Sequence, residues 1–263
     1  VYSKGVAEVA TAGGGVECGM FLRSIVGTED SPVAILPYPN TSPTIVSANR
    51  GFQGYLTNGL IISGYTISVG HVDETLPVSA GNPSQSDQHI SASEFGRYVA
   101  NLLIQNEGTV FTGWSGAIVS GGENINCTIL GNHIKNLGGP NSSRYAHTLY
   151  LSVRNKDTVS PAPTIQFNYL DNNDVFNGIH IYDEALDENY ELGDATGLLN
   201  IKYNVVKNQR GKGINVQVID RKSPYVTGWS CDMEIDYNLL INCGLGLPQE
   251  DNVTSANAVA IAG

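Results

Sequence analysis

An all-β solenoid of short stacked strands is the fold class this sequence predicts, and three observations predict it. One phrase recurs four times: ILGNHIKN (Ile129–Asn136), IQFNYLDN (Ile165–Asn172), IKYNVVKN (Ile201–Asn208) and IDYNLLIN (Ile235–Asn242). Its Asn pairs, Asn132/Asn136, Asn168/Asn172, Asn204/Asn208 and Asn238/Asn242, are spaced 36, 36 and 34 residues apart, and a fixed period of this size marks a repeat architecture. A second phrase follows each pair: HTLYLS (His147–Ser152), GIHIYD (Gly178–Asp183), GINVQV (Gly213–Val218) and AVAIAG (Ala258–Gly263). Its apolar/polar alternation is the strand period. Finally, no stripe at i, i+3, i+4 and i+7 runs through the units, while Gly, Asn and β-branched residues abound.

Strands stacked about 4.8 Å apart bury one continuous core. An Asn at the same turn of every rung can bond the turns above and below, and Asn tolerates left-handed backbone. The four aligned pairs therefore predict an asparagine ladder.

Taken in order, Val1–Gly19 is small and Gly-rich, and its Gly13-Gly14-Gly15 lacks the strand–helix setting of a phosphate loop. Met20–Ser47 reads as two or three strands with Pro-rich turns, and Gly59–Gly70 as a pair of rung strands. Residues 71–94 break the pattern with Asp73, Glu74, Asp87, His89 and Glu94; a long excursion from a rigid scaffold is where function often sits. Phe95–Asn106 fits either a short helix or another rung. Trp114, in TGWSG, falls on a turn before a strand at Ala117–Val119. Residues 1–124 thus form irregular rungs and 125–263 regular ones, in a single expected domain whose two ends lie mid-solenoid, as in a mature form, a fragment or a subunit that stacks further. The 36-residue period leaves room for one loop per rung, at Gly138–Ala146, Arg154–Pro163, Glu184–Gly197 and Arg221–Trp229. Such loops are expected to wall a groove along the solenoid.

The chain carries 25 acidic and 14 basic side chains, a net charge of −11. Nucleic acid is a poor partner for such a chain without a Lys/Arg cluster, and an acidic polysaccharide needs a local basic patch or bridging cations. No apolar run is long enough to span a membrane. Cys18, Cys127, Cys231 and Cys243 form no CxxC pair, which argues against zinc. Buried free thiols are the default for Cys127, Cys231 and Cys243, with a Cys231–Cys243 bridge as the alternative if their turns stack. No organic cofactor is expected.

The Ile-x-x-Asn-x-x-x-Asn phrase followed by Gly-Ile-x-Ile resembles the repeat of right-handed parallel β-helix proteins of the pectate-lyase-like superfamily. Val26–Ser47 (VGTEDSPVAILPYPNTSPTIVS) resembles the early rung of polysaccharide lyases of the chondroitinase-B and alginate-lyase kind, with Asn40 where those proteins usually have Gly. The resemblance implies a right-handed parallel β-helix. It also implies a secreted, cell-surface or virion-associated protein acting on a polysaccharide. The same fold serves lyases, hydrolases, epimerases, tailspikes and adhesins.

Aligning the second phrases puts Leu149/Leu151, Ile179/Ile181, Ile214/Val216 and Val259/Ile261 inward. Tyr150, His180 and Asn215 then neighbour one another on the outer face, as do Ser152, Tyr182 and Gln217. Aromatic faces and amides suit a sugar. For β-elimination beside a uronate carboxyl a base, an acid and a carboxylate-neutralising cation are needed. His180 as base, Tyr150 or Tyr182 as acid, and Arg144 or Arg210 on the carboxylate meet that need, with His147 beside them and Trp114, Asn215, Gln217 and Lys212 as substrate contacts. The acidic run Asp183–Asp194 offers Asp183, Glu184, Asp187 and Glu188 as Ca2+ ligands. Alternatively Asp183 or Glu184 pairs with Asp220 across a glycosidic bond, as in hydrolases. A non-catalytic tailspike segment, adhesin or filament subunit, self-associating through open ends or as a trimer, is the other class of function.

Overall fold

The computed structural model describes residues 2–3, 10–12, 16–47, 50–55, 57–69, 88–91, 95–105, 115–120, 126–139, 142, 145–152, 163–185, 198–220, 232–244 and 259–262. All regular elements among them are strands, in three sheets. The first sheet stacks Tyr2–Ser3, Val33–Pro37, Leu60–Ser63, Arg97–Val99, Thr128–Leu130, Thr164–Gln166, Leu198–Lys202 and Asp232–Asp236. The second stacks Thr44–Val46, Thr66–Val69, Leu102–Gln105, His133–Lys135, Tyr169–Asp171, Val205–Gln209 and Leu239–Cys243. The third stacks Ala10–Ala12, Val16–Arg23, Arg50–Tyr55, Gln88–Ser91, Gly116–Ser120, His147–Ser152, Asn177–Ala185, Ile214–Asp220 and Val259–Ala262. Only Ala10–Ala12 pairs antiparallel, on Val16–Arg23; every other ladder is parallel. The chain visits the three sheets in turn, which makes the molecule a parallel β-solenoid.

The core follows from three-residue strands. Each short strand can point one side chain inward, and that residue is apolar in register after register: Ile129, Ile165 and Ile201 in the first sheet, and Ile134, Leu170 and Val206 in the second. The longer third-sheet strands contribute two apiece, Leu149/Leu151, Ile179/Ile181 and Ile214/Val216, as their alternation predicts. Full burial of each such side chain contributes about 2 kcal/mol. Tyr98 and Leu103 occupy the same inward positions, so of the two expectations for Phe95–Asn106 the rung holds over the described residues 95–105. Cys127 is a buried free thiol, pushed up to about 12 by burial. Cys243 is also free and donates to the Val206 carbonyl at 3.4 Å, so it forms no bridge with Cys231. Cys231 itself lies outside the described residues.

The two asparagines of each pair divide the work. The first lies at the corner between the first and second sheets, buried at Asn132, Asn168 and Asn204 and half-buried at Asn238. Asn168 Oδ1 accepts from the Asn132 backbone N–H at 2.9 Å and from Asn132 Nδ2 at 3.0 Å. Asn168 Nδ2 donates to Ile129 O at 2.9 Å and to Asn204 Oδ1 at 3.0 Å. Asn101→Asn132 and Asn204→Asn238 repeat the pattern, so the ladder begins one rung before the four-fold phrase. Every amide atom is satisfied, which is what burial of a polar group demands. The second asparagine carries the left-handed turn: Asn136, Asn172, Asn208 and Asn242 have φ of 52–61°. Their side chains also bond along the surface, Asn172 to Asn136 and Asn242 to Asn208. Asn40 has φ 61°, the conformation that Gly would favour there.

A second left-handed position stands at the start of this corner, before each ladder Asn and, in the earliest rung of the series, before Tyr65. It is Gly64, Ala100 and Gly131 in earlier rungs and Phe167, Tyr203 and Tyr237 in later ones, with φ of 56–58° for the three aromatics. Bulky side chains rarely adopt this conformation, at a cost of about 1–3 kcal/mol each. The three rings stack face to face on the surface, with centroids 5.1 Å apart at each step and planes within 5°. Stacking returns about 1 kcal/mol per pair.

Candidate functional site

The long connections all attach to the third sheet. Strands of the first and second sheets are joined by tight corners, such as Phe167-Asn168 between Gln166 and Tyr169. Segments 70–87, 106–114 and 245–258 lead into third-sheet strands, and 121–125, 153–162, 186–197 and 221–231 lead out of them. The expected rung loops therefore connect to the strands of one sheet, and that sheet carries the histidine–tyrosine row.

The register is the one the phrases imply: Tyr150 lies opposite His180 and His180 opposite Asn215, while Ser152, Tyr182 and Gln217 form the next line. Two further residues join at the strand starts. Asn177 lies opposite His147, and the Gly178 N–H donates to Lys212 O, which sets Lys212 on the following rung. The His147 ring sits 4.2 Å from the His180 ring and 5.6 Å from that of Tyr150. Tyr182 lies 5.5 Å from His180, and Phe176 flanks His147 at 5.9 Å.

An outer face of a solenoid sheet ordinarily meets water. Here His147, Tyr150, His180 and Asn215 are 4, 7, 5 and 2% exposed, on the side opposite the apolar core. Among the described residues around them, Phe176, Tyr182, Lys212 and Gln217 are half-buried.

Burial sets the electrostatics. It pushes the His180 imidazole down to about 3, against a backbone hydrogen bond at Asn215 and with the Lys212 charge adding to the fall. Burial, and then His180, hold His147 well below its ordinary value. Burial also lowers Lys212. Both histidines are thus neutral near pH 7. Lys212 Nζ donates to Asn215 Oδ1 at 3.3 Å, which turns the amide so that Asn215 Nδ2 donates to His180 Nδ1 at 2.8 Å. A neutral imidazole that accepts at Nδ1 carries its proton on Nε2. His180 therefore presents a donor. His147 Nδ1, by contrast, has no protein partner among the described residues, nor has either amide atom of Asn177, which is 1% exposed. Buried polar atoms left unpaired are costly and mark sites where another group completes the bonding.

The remaining predicted residues fall elsewhere. Arg210 Nε pairs with Asp174 at 3.2 Å and its Nη2 donates to Ser142 O, so its charge is committed to a neighbouring corner. Trp114, Arg144, Asp187 and Glu188 lie outside the described residues. Asp183 and Glu184 continue the strand Asn177–Ala185, opposite Val218 and Ile219, and their side chains lie outside the described set; so does that of Asp220, which pairs with Ala185. The described residues contain no cluster of three or more metal-binding side chains. Sequence reasoning missed Asn177 and Phe176. The signal available was FNGIHIYD: an Asn directly before the Gly that opens an alternating strand.

Comparison with protein-family models, with curated proteins and with solved structures gives no match to this chain.

Proposed function

We propose that the protein acts on a uronate-containing polysaccharide at the third sheet, by β-elimination. The observation that carries this reading is the juxtaposition of two neutral histidines, Tyr150 and Lys212 with the unpartnered His147 Nδ1 and Asn177 amide. In elimination a base removes the proton beside the uronate carboxyl. The electron pair left behind becomes a C=C bond as the glycosidic oxygen departs and takes up a proton. The open Nδ1 of His147 suits the base. His180 Nε2–H or the Tyr150 hydroxyl suits the acid. Lys212, which among the described cations bonds to the row through Asn215, takes the carboxylate role in place of Arg210. Neutral imidazoles are a requirement here, since a protonated base accepts nothing. The likeness of the repeat to pectate-lyase-like β-helices points the same way.

The test is ultraviolet absorbance of the unsaturated product during incubation with polygalacturonate, alginate and chondroitin sulfate, with and without Ca2+. A rise supports the lyase. Shortened chains without a rise mean hydrolysis and redirect attention to Asp183, Glu184 and Asp220. Intact chains overturn the proposal for these substrates.

A second reading is a non-catalytic β-helix that adheres or stacks into filaments. The apolar Leu239 and Ile241, exposed on alternate positions of their second-sheet strand, favour it. Concentration-dependent polymers in sedimentation separate it from the first.

A further inference from the structure

The corner that precedes the buried asparagines carries three residues with no role in the core or in the third-sheet row. Phe167, Tyr203 and Tyr237 are 57, 44 and 75% exposed, and all three hold a left-handed backbone that disfavours bulky side chains. The fold does not require rings there, because Gly64, Ala100 and Gly131 occupy the same position in earlier rungs. Strain and exposure retained together on three successive rungs point to function.

On the Gly131 side the stack ends in an open step. Tyr203 covers one face of Phe167. The other face looks toward Gly131, because Leu130 pairs with Gln166 and the Gly131 N–H donates to Gln166 O. A side-chain carbon at Gly131 would meet no atom within 4 Å. The rung that continues the row thus offers open space where its neighbours hold a ring. Around it stand half-buried polar groups: Gln166 beside Phe167, and His133 beyond Gly131, whose Nε2 is buried without a partner and whose ring lies 4.9 Å from that of Tyr169.

We propose that this step is a glycan-binding subsite, in which a neutral pyranose ring lies on the free face of Phe167 over Gly131. The C–H face of a sugar matches an aromatic face, and amide and imidazole groups at its rim match hydroxyls. Gln166 is uncharged and burial lowers His133, so these rim groups suit hydroxyls and not anions. The subsite lies on a different corner from the histidine row and does not rest on the elimination reading.

Affinity electrophoresis of the full chain through gels containing hydroxyethyl cellulose, glucomannan, xylan or dextran tests it. Wild type is expected to be retarded by at least one of these polymers. Phe167→Gly is expected to bind about tenfold or more weakly, in line with loss of one stacking contact, and its thermal midpoint should not fall, since Gly relieves the left-handed strain. Gly131→Tyr, which extends the stack into the open step, should abolish the retardation while keeping the fold. The proposal is overturned if wild type migrates freely in all four gels, or if either variant is retarded like wild type. A concentration-dependent dimer lost in Phe167→Gly would also overturn it, by assigning the ring face to a second copy. Elimination is read separately, from product absorbance on uronates, so either idea can fail alone.

Discussion

At the corner between the first and second sheets one line reads Asn101, Asn132, Asn168, Asn204, Asn238, and each member repeats the bonds of the last. On the third sheet the corresponding line reads Tyr150, His180, Asn215, Ala260, and no two members are alike. Both lines hold buried polar groups. At the corner every amide is satisfied by its neighbour rung, so the polar layer serves the stack. On the third sheet His147 Nδ1 and Asn177 are left unsatisfied, so the polar layer is incomplete by the fold's own standards. Repetition marks what the solenoid needs, and departure from it marks what the solenoid carries.

Substitutions can break this contrast. The largest effect is expected at the row. His147→Gln, which keeps bulk while removing the base, should lower elimination by about 10²–10⁴-fold, with a melting midpoint near wild type; equal losses of activity and stability would show the row to be structural. At the corner the opposite is expected. Asn168→Ala removes the acceptor of two Asn132 donors and strands the Ile129 carbonyl, which should destabilise the fold by about 3 kcal/mol in urea titration. Asn172→Gly, on the exposed partner of the same pair with φ 55°, should change stability by less than about 0.5 kcal/mol. Comparable losses at both positions would dissolve the division of labour between the two asparagines.

A smaller effect concerns acid. His180 has its folded value depressed from 6.5 to about 3, and His89 to about 4, both mainly by burial. The unfolded chain then binds more protons than the folded one, so stability rises with pH across that interval. The contribution is complete above about pH 6.5 and is lost as pH falls toward the folded values, at up to about 1.4 kcal/mol per pH unit per histidine. His180→Gln should flatten that slope in melts between these limits. An unchanged slope would mean that His180 is protonated in the fold.

Much of the corner was legible in the sequence, because Asn and Ile recur at a fixed period and their geometry follows from stacking. The third-sheet register was legible for the same reason: aligning the phrases HTLYLS, GIHIYD and GINVQV with Leu149, Ile179 and Ile214 facing inward gives the observed pairing. The burial of Tyr150 and His180 was not, since it depends on what surrounds the sheet and not on the alternation of its strands. The commitment of Arg210 to Asp174 follows the same 36-residue period, but only the structure shows that their side chains meet across that step. The stack of Phe167, Tyr203 and Tyr237 lay in plain view within the repeat, yet only backbone angles reveal that the rings sit where glycine would be easier.

The most direct test follows ultraviolet absorbance of wild type and His147→Gln side by side on polygalacturonate, alginate and chondroitin sulfate, with thermal melts of both. The account predicts a rise for wild type, a flat trace for the variant and matching midpoints. A flat trace for wild type with the polymers intact would contradict it and leave the buried row as scaffold.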